Sequence, residues 1–426
     1  MDRSVGNHIE ADVLVVDGVI AEVARGLRAR DAEVIDGTDT IVIPGFVDTH
    51  RHAWKALFRN FGGGGVGERP VGPAVYGPHF TADDAYAATL VGLLGAAEAG
   101  VTTLVDWSDI QVDPSFTDAV LSAHADSGLR TVFVHAAPIW AGDGANHVAR
   151  VAELMSGDPR SMTTFAYGPA DPSRFDLDAV AGEWAEARLA GLRIHAHVGR
   201  DSSERGLVSQ LGQRGLLGQD VTLVHCTNLD GADLDAIASS GARVALTPSN
   251  EMAAGYGAPP LQHLIDRDIR PGLGVGNVVE APGDMFAQMR AANSIQHATL
   301  FDLKLAGKAG IPNLLSTRDV IRYSTIDGAR VAGLETLTGS LAPGKQADIV
   351  VLRADRPNIA PINDPIGAVV WGMDTSNIDW VLVGGEILVR EGDLIADVTR
   401  LRELATQAQR RIAAAAGILS SAGGTS

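Results

Sequence analysis

The chain opens with short runs in which apolar and polar positions alternate, ADVLVVDGVIAEVA and then EVIDGTDTIVIPG. A period of two predicts β-strands, and Asp17-Gly18 supplies a hairpin turn between the first of them. The same texture returns late in the chain, in GKQADIVVLRAD and NIDWVLVGGEILVREGDLI. The two ends are therefore expected to form one domain, a small β-sandwich composed of residues 1–44 and 338–397. Between residues 45 and 337 the pattern changes to short apolar runs alternating with Ala-rich helical stretches, a βα repeat. The predicted strands are Gly45 to Thr49, Thr102 to Asp106, Thr131 to His135, Thr163 to Tyr167, Arg193 to His197, Thr222 to His225, Arg243 to Leu246 and Pro271 to Val275. Eight such units are what an α/β TIM (β/α)8 barrel requires. Among the helices between them, ADDAYAATLVGLLGAAEAG carries acidic residues in its first turn and Gly100 at its end. Residues 398–426 are expected to add a C-terminal helix and a flexible tail.

Composition narrows the class. A chain of 426 residues accommodates a barrel of ~250 residues and a smaller accessory domain. A hydrophobic fraction of 46% with 20% charged residues describes a globular protein rather than a disordered or fibrous one. The net charge of -18 disfavours nucleic acid or an anionic membrane as partner and favours a small-molecule substrate. The opening residues lack the pattern of a secretory signal, and no apolar run is long enough to span a membrane, so a soluble cytoplasmic protein is expected. With Cys226 the single cysteine, no internal disulfide and no thiolate metal cluster can form. Any metal must rest on histidines and carboxylates.

Active sites of such barrels lie at the C-terminal ends of the strands, and there histidines dominate. Asp48-Thr49-His50-Arg51-His52 closes the first strand, Arg193-Ile194-His195-Ala196-His197 the fifth, and Leu223-Val224-His225-Cys226 the sixth. Strand alternation puts His50 and His52 on one side, and likewise His195 with His197, so that each pair could chelate an ion. Neutral imidazoles suit Zn²⁺ or Fe²⁺. Any one histidine is read more simply as a hydrogen-bonded structural residue; the set together points to a metal. His135, closing the third strand, is balanced between substrate contact and structure, while His8, His124, His147, His263 and His297 are read as structural or solvated.

The run Pro44-Gly45-Phe46-Val47-Asp48-Thr49-His50-Arg51-His52 resembles the first-strand signature of the amidohydrolase superfamily, in its cytosine deaminase and chlorohydrolase-like branch. The resemblance extends through VTTLVDW, the fifth- and sixth-strand histidines, GDMFAQMR and GSLAPGKQADIVVL, nearly the whole chain. It implies metal ligands at His50, His52 and His197, and at His225 a histidine that binds metal or substrate and takes part in catalysis. Binuclear relatives bridge two ions with a lysine ending strand four. No lysine lies between Lys55 and Lys304, so one divalent ion is expected, Zn²⁺ in preference to Fe²⁺. The reaction implied is metal-assisted hydrolysis of a C–N bond, by deamination or by amide or cyclic amidine cleavage, in a small cyclic nitrogenous substrate. A homo-oligomer is expected.

Two positions depart from the family pattern. Strand eight should end in an aspartate that meets the metal and takes a proton, but Gly276 stands there, followed by Asn277. Three residues beyond the fifth-strand histidine, where deaminases carry a glutamate, this chain has Arg200. One positioned acid or base contributes ~10² to 10⁴ in rate, so these losses call for replacements or for different chemistry. Glu280 is the favoured replacement, with Glu251 and Asp284 as alternatives. The alternative readings are a metal-dependent lyase, decarboxylase or isomerase on the same scaffold, or an inactive homologue. A pocket wall is expected from Trp54, Arg59, Trp107 and Asp109, with His135 and Arg200 also contacting substrate; stacking surfaces beside charge suit a planar nitrogenous ring. Arg51, Arg59 and Arg200 could alternatively hold a substrate carboxylate. The Gly/Pro-rich segment from Asn60 to Phe80 reads as a cover over the site.

Overall fold

In a computed structural model, residues 7, 10–61, 72–140, 147–155 and 161–418 are described. Eight strands form one parallel sheet in sequential order: Phe46–Arg51, Val101–Ser108, Arg130–Ala136, Thr163–Gly168, Arg193–Val198, Val221–His225, Arg243–Leu246 and Gly272–Leu273. The sheet closes on itself through a bridge between Arg51 and Gly276, where Gly276 N donates to His50 O and His52 N donates to Gly276 O, each at 2.8 Å. The eighth strand is shorter than the apolar run suggests. Val275 N bonds to the buried Asp48 carboxylate at 3.0 Å, so a side chain from strand one replaces the next rung of the ladder. The same carboxylate holds Arg51 Nε at 2.7 Å.

Alternation sorts the strand residues into two layers. Val47, Val105, Trp107, Val132, Val134, Ala136 and Ala166 pack in one cluster inside the barrel. Phe133, between two of these inward residues, belongs to a different cluster with Trp54, Phe58, Tyr76 and Phe80. The outer helices cover the strands with their small and apolar faces. Helix Ala82–Glu98 begins with a capping box between Thr81 and Asp84 and ends near Gly100, which adopts φ +82°. His124 ties helix Pro114–Ser127 to the barrel, bonding Thr131 Oγ1 at 2.8 Å and Asp106 Oδ2 at 2.9 Å.

Strands from both ends of the chain share a second sheet of five, in which Thr40–Pro44 pairs antiparallel with Ile349–Arg353, followed by Ile378–Val383, Glu386–Arg390 and Asp393–Leu394. The hairpin Asp12–Val16 with Val19–Ala24 turns at Asp17 and Gly18, both at positive φ, and lays Ile20 against Ala347, Ile349, Trp380 and Leu382. Helix Val398–Ala415 packs back on the barrel, where Arg411 pairs with Asp84. No helix among the described residues is long and apolar enough to cross a membrane.

Candidate active site

The ends of strands one and five meet at the barrel mouth. One ligand atom each from His50, His52 and His197 lies within 4.8 Å of the others. His197 Nε2 stands 3.1 Å from His50 Nε2. Two nitrogens on a tetrahedral zinc at ~2.05 Å would be about 3.3 Å apart, so the spacing fits a shared ion. The second ring nitrogens of His50 and His52 are engaged elsewhere. His52 Nδ1 is 2.8 Å from Asp109 Oδ1, and His50 Nδ1 is 3.2 Å from His195 Nε2. A metal-ligating imidazole bonded through its second nitrogen to a carboxylate or other polar group is the arrangement such sites use to fix ring orientation.

The expectation that His195 and His197 chelate as a pair is not met. His197 joins the two histidines of strand one, whereas His195 lies lower in the barrel, its ring stacked 5.4 Å from that of His50. Burial holds His50 and His197 well below the usual imidazole range, with neighbouring histidines adding to the effect, and brings His195 down to about 3. All three are neutral at physiological pH, and for His50 and His197 that is the form in which an imidazole could hold a metal.

His225 reaches the site through backbone distortion. Val224 packs inside the barrel with Ala245 and Val331, so regular alternation would turn His225 outward. Instead His225 and Cys226 adopt φ +75° and +57°, and Cys226 N bonds Val198 O at 3.0 Å. Consecutive left-handed non-glycine residues cost on the order of 1–3 kcal/mol each and are maintained only where surrounding contacts impose them. The turn sets the His225 ring over His197, 5.2 Å between centroids. Its ligand atoms lie outside the group of three.

The predicted wall residues have varied positions. Trp107 is at the site, its ring 4.2 Å from His197 and 6.0 Å from His50. Trp54 is not wall but core: fully buried, it packs edge-on with Tyr76, Phe80 and Trp140 and donates Nε1 to Asp109 Oδ1 at 2.6 Å. Asp109 accordingly faces His52 and Trp54 rather than open space, with Lys55 Nζ at 3.7 Å. Burial alone would raise its pKa, but His52, Lys55 and the two hydrogen bonds hold the carboxyl well below the usual carboxylate range. Arg59 is exposed and donates to Val91 O on helix Ala82–Glu98 at 3.0 Å. Arg51 is consumed by Asp48 and by Gly283 O at 2.8 Å.

His135 shares the outward side of its strand with Phe133 and lies 4.8 Å from the His147 ring, turned away from the barrel interior. Arg200, half-buried, is paired with Asp171, with Glu204 Oε1 at 4.0 Å. Its charge helps hold His197 and His225 neutral. Glu204 itself folds back to accept Gly199 N at 2.6 Å. The cover segment falls partly outside the described residues at 62–71; Tyr76 and Phe80 at its far end pack on Trp54.

Of the carboxylates weighed as replacements, Glu280 is exposed, its charge felt by Lys55 and Tyr76, and Asp284 caps helix Met285–Leu305 by accepting Ala287 N. Glu251 is the one joined to a site histidine. It is fully buried, 3.2 Å from His225 Nδ1, and burial pushes its pKa up to about 8 against the hydrogen bonds from Thr247. Its neighbour Asn250 fills the place left by Gly276. A Cβ at 276 would stand 2.6 Å from Asn250 Oδ1, on a backbone with φ +77°.

Residues 41–388 match the model of the amidohydrolase family. The chain belongs to that family. It is thus a metal-dependent hydrolase acting on non-peptide C–N bonds, with a divalent metal as cofactor. The 5'-deoxyadenosine deaminase of Methanothermobacter thermautotrophicus is 30% identical over 401 residues, 90% of each chain. The 5-methylthioadenosine/S-adenosylhomocysteine deaminase of Thermococcus onnurineus is 27% identical over 412 residues, 91% of each. Among solved structures, a zinc-bound adenosine deaminase from Xanthomonas campestris superposes with a TM-score of 0.77 at 22% identity, covering 95% of this chain and 94% of that one. A mutant of atrazine chlorohydrolase from Arthrobacter aurescens, complexed with zinc and atraton, gives 0.76 at 20%, covering 96% and 97%. These likenesses establish a shared fold.

Proposed function

We propose that this amidohydrolase deaminates a 6-aminopurine nucleoside of the 5'-deoxyadenosine or methylthioadenosine class, with zinc held by His50, His52 and His197. The convergence of those three nitrogens carries the reading, and the names of the curated relatives supply the substrate class. When bound, zinc supplies an acidified water and polarises the C=N bond under attack. His225 provides the proton-handling group that strand eight lacks: Nδ1 faces Glu251, so Nε2 is available to take the proton of the attacking water and return it to the departing ammonia. Asp109 orients His52, and Trp107 closes one side of the centre and offers an aromatic surface to a planar base. Burial keeps His197 and His225 neutral and the Arg200 charge adds to it, while Arg200, paired with Asp171, is proposed to contact a polar substituent of the sugar. Glu280, exposed at the rim, is assigned no proton transfer. A cytoplasmic homo-oligomer is the form proposed for the working enzyme; exposed Phe301, Leu305 and Leu314 offer apolar contact surface.

The test is ammonia release from 5'-deoxyadenosine, 5-methylthioadenosine and S-adenosylhomocysteine by zinc-reconstituted protein. Conversion of one of them to the hypoxanthine nucleoside, abolished in His197→Ala, is the expected result. A protein that carries zinc stoichiometrically and deaminates none of the three would overturn the substrate assignment.

A further inference from the structure

Sequence reasoning ranked Glu251 behind Glu280, yet it is the candidate carboxyl that the structure joins to a site histidine. It belongs to the short helix Pro248–Ala253 that follows strand seven. Its Oε1 accepts Thr247 N at 2.8 Å and lies 3.3 Å from Thr247 Oγ1 and 3.2 Å from His225 Nδ1. Thr247 Oγ1 is also 3.2 Å from His225 Nδ1, so carboxyl, hydroxyl and imidazole form a closed triangle. Glu251 Oε2 is buried with no hydrogen-bond partner among the described residues.

The triangle admits a limited set of proton placements. Oε1 already accepts a backbone N–H, so it serves as an acceptor whether the carboxyl is ionised or carries its proton on Oε2. The Thr247 hydroxyl, free to rotate, then points its hydrogen at Oε1. With that hydrogen committed, both oxygens present lone pairs to His225 Nδ1, and Nδ1 must carry the imidazole proton. Nε2 is left as the lone-pair nitrogen. Remove the carboxyl, and the Thr247 hydroxyl is released to donate into Nδ1, which permits the opposite tautomer and places a hydrogen on Nε2.

We propose that Glu251 is a positioning residue that selects the Nδ1–H tautomer of His225, leaving Nε2 as the acceptor presented to the substrate. This rests on the role given to His225 above, but the tautomer is measurable without any substrate. It also explains how a site with Gly276 on strand eight obtains an oriented acceptor: the carboxyl enters from the helix after strand seven and acts through an imidazole. Asn250, the residue before it, occupies the room above Gly276.

The experiment is imidazole ¹⁵N spectroscopy of the zinc-loaded protein, with the His225 signals identified by their loss in His225→Gln. Wild type should show a protonated Nδ1 and a bare Nε2. Glu251→Gln, whose amide oxygen replaces Oε1, should retain that pattern. Glu251→Leu should shift His225 toward the Nε2–H form and lower kcat/KM by about 10–100-fold, the usual range for loss of such a partner, with little change in KM. Thr247→Val, lacking the competing donor, should keep Nδ1 protonated while the Glu251 carboxyl is present. A wild-type His225 protonated on Nε2, or a tautomer unmoved by Glu251→Leu, would overturn the proposal. Should Glu251→Leu fail to fold, the wild-type and Glu251→Gln spectra decide it. Absence of deaminase activity alongside the expected tautomers would count against the substrate reading alone.

Discussion

Placing an aspartate on strand eight by Gly276→Asp is expected to damage this protein rather than raise its activity. The backbone at 276 has φ +77°, where an L-residue costs ~1 kcal/mol or somewhat more, aspartate being among the better tolerated. The added Cβ would stand 2.6, 2.9 and 3.0 Å from Oδ1, Cγ and Cβ of Asn250. Asn250 is buried and belongs to helix Pro248–Ala253, where Ser249 N is tied to Gln288 Oε1 at 3.1 Å, so it has little freedom to retreat. Overpacking of this kind costs about 1–3 kcal/mol, giving a total of about 2–4 kcal/mol, a sizeable part of a typical folding free energy. Thermal unfolding followed by circular dichroism should show a Tm lower by several degrees, and chelator competition should show no gain in zinc affinity. Combining the change with Asn250→Ala should recover the packing part and leave the backbone part. A single variant that melts with wild type and binds zinc more tightly would refute both the filled-site argument and the role given to Asn250.

Two further outcomes follow from the site's hydrogen bonds and titrations. Asp109→Leu removes the acceptor for both His52 Nδ1 and Trp54 Nε1 and should weaken zinc binding about 10–100-fold in chelator competition; an unchanged affinity would show that the carboxylate does not orient His52. His195 and His225 stay neutral in the folded protein down to about 3, whereas unfolded histidines protonate near 6.5, so the unfolded state binds more protons across that window. Stability of the metal-free protein should therefore fall as pH drops from about 6.5 toward 3, by up to ~1.4 kcal/mol per pH unit per histidine, and His195→Gln should reduce the slope by about one proton. Urea midpoints independent of pH over that range would contradict the assignment.

Much of the architecture was legible because its signals are local and periodic. All eight barrel strands match predicted apolar runs to within a few residues, and the turn at Asp17-Gly18 and the cap of helix Ala82–Glu98 follow from short-range chemistry. The three histidines that converge were also named from the sequence, since His50 and His52 sit two apart on one strand and His197 ends another, whereas His225, expected with them, lies outside the group. The errors arise where strict alternation breaks or where partners are remote in sequence. Pairing between strands one and two is irregular from Asp48 to Arg51, and two left-handed residues re-aim His225, so side-chain direction there cannot be read from a period of two. Trp54 and Asp109 looked like pocket residues because both follow strand ends; their mutual hydrogen bond, which turns them inward, spans 55 positions. Glu280 was favoured over Glu251 by nearness to Gly276 along the chain, but proximity in space is set by the loop after strand seven, which carries Glu251 onto His225 and Asn250 over Gly276.

The central claim is that one zinc ion rests on three named imidazoles, and anomalous scattering at the zinc edge from crystals of the reconstituted protein tests it most directly. A single peak is predicted ~2.0–2.1 Å from Nε2 of His50, His52 and His197, with His195 outside the coordination sphere. No peak at that point, a peak that includes His195, or a second ion beside the first would contradict it.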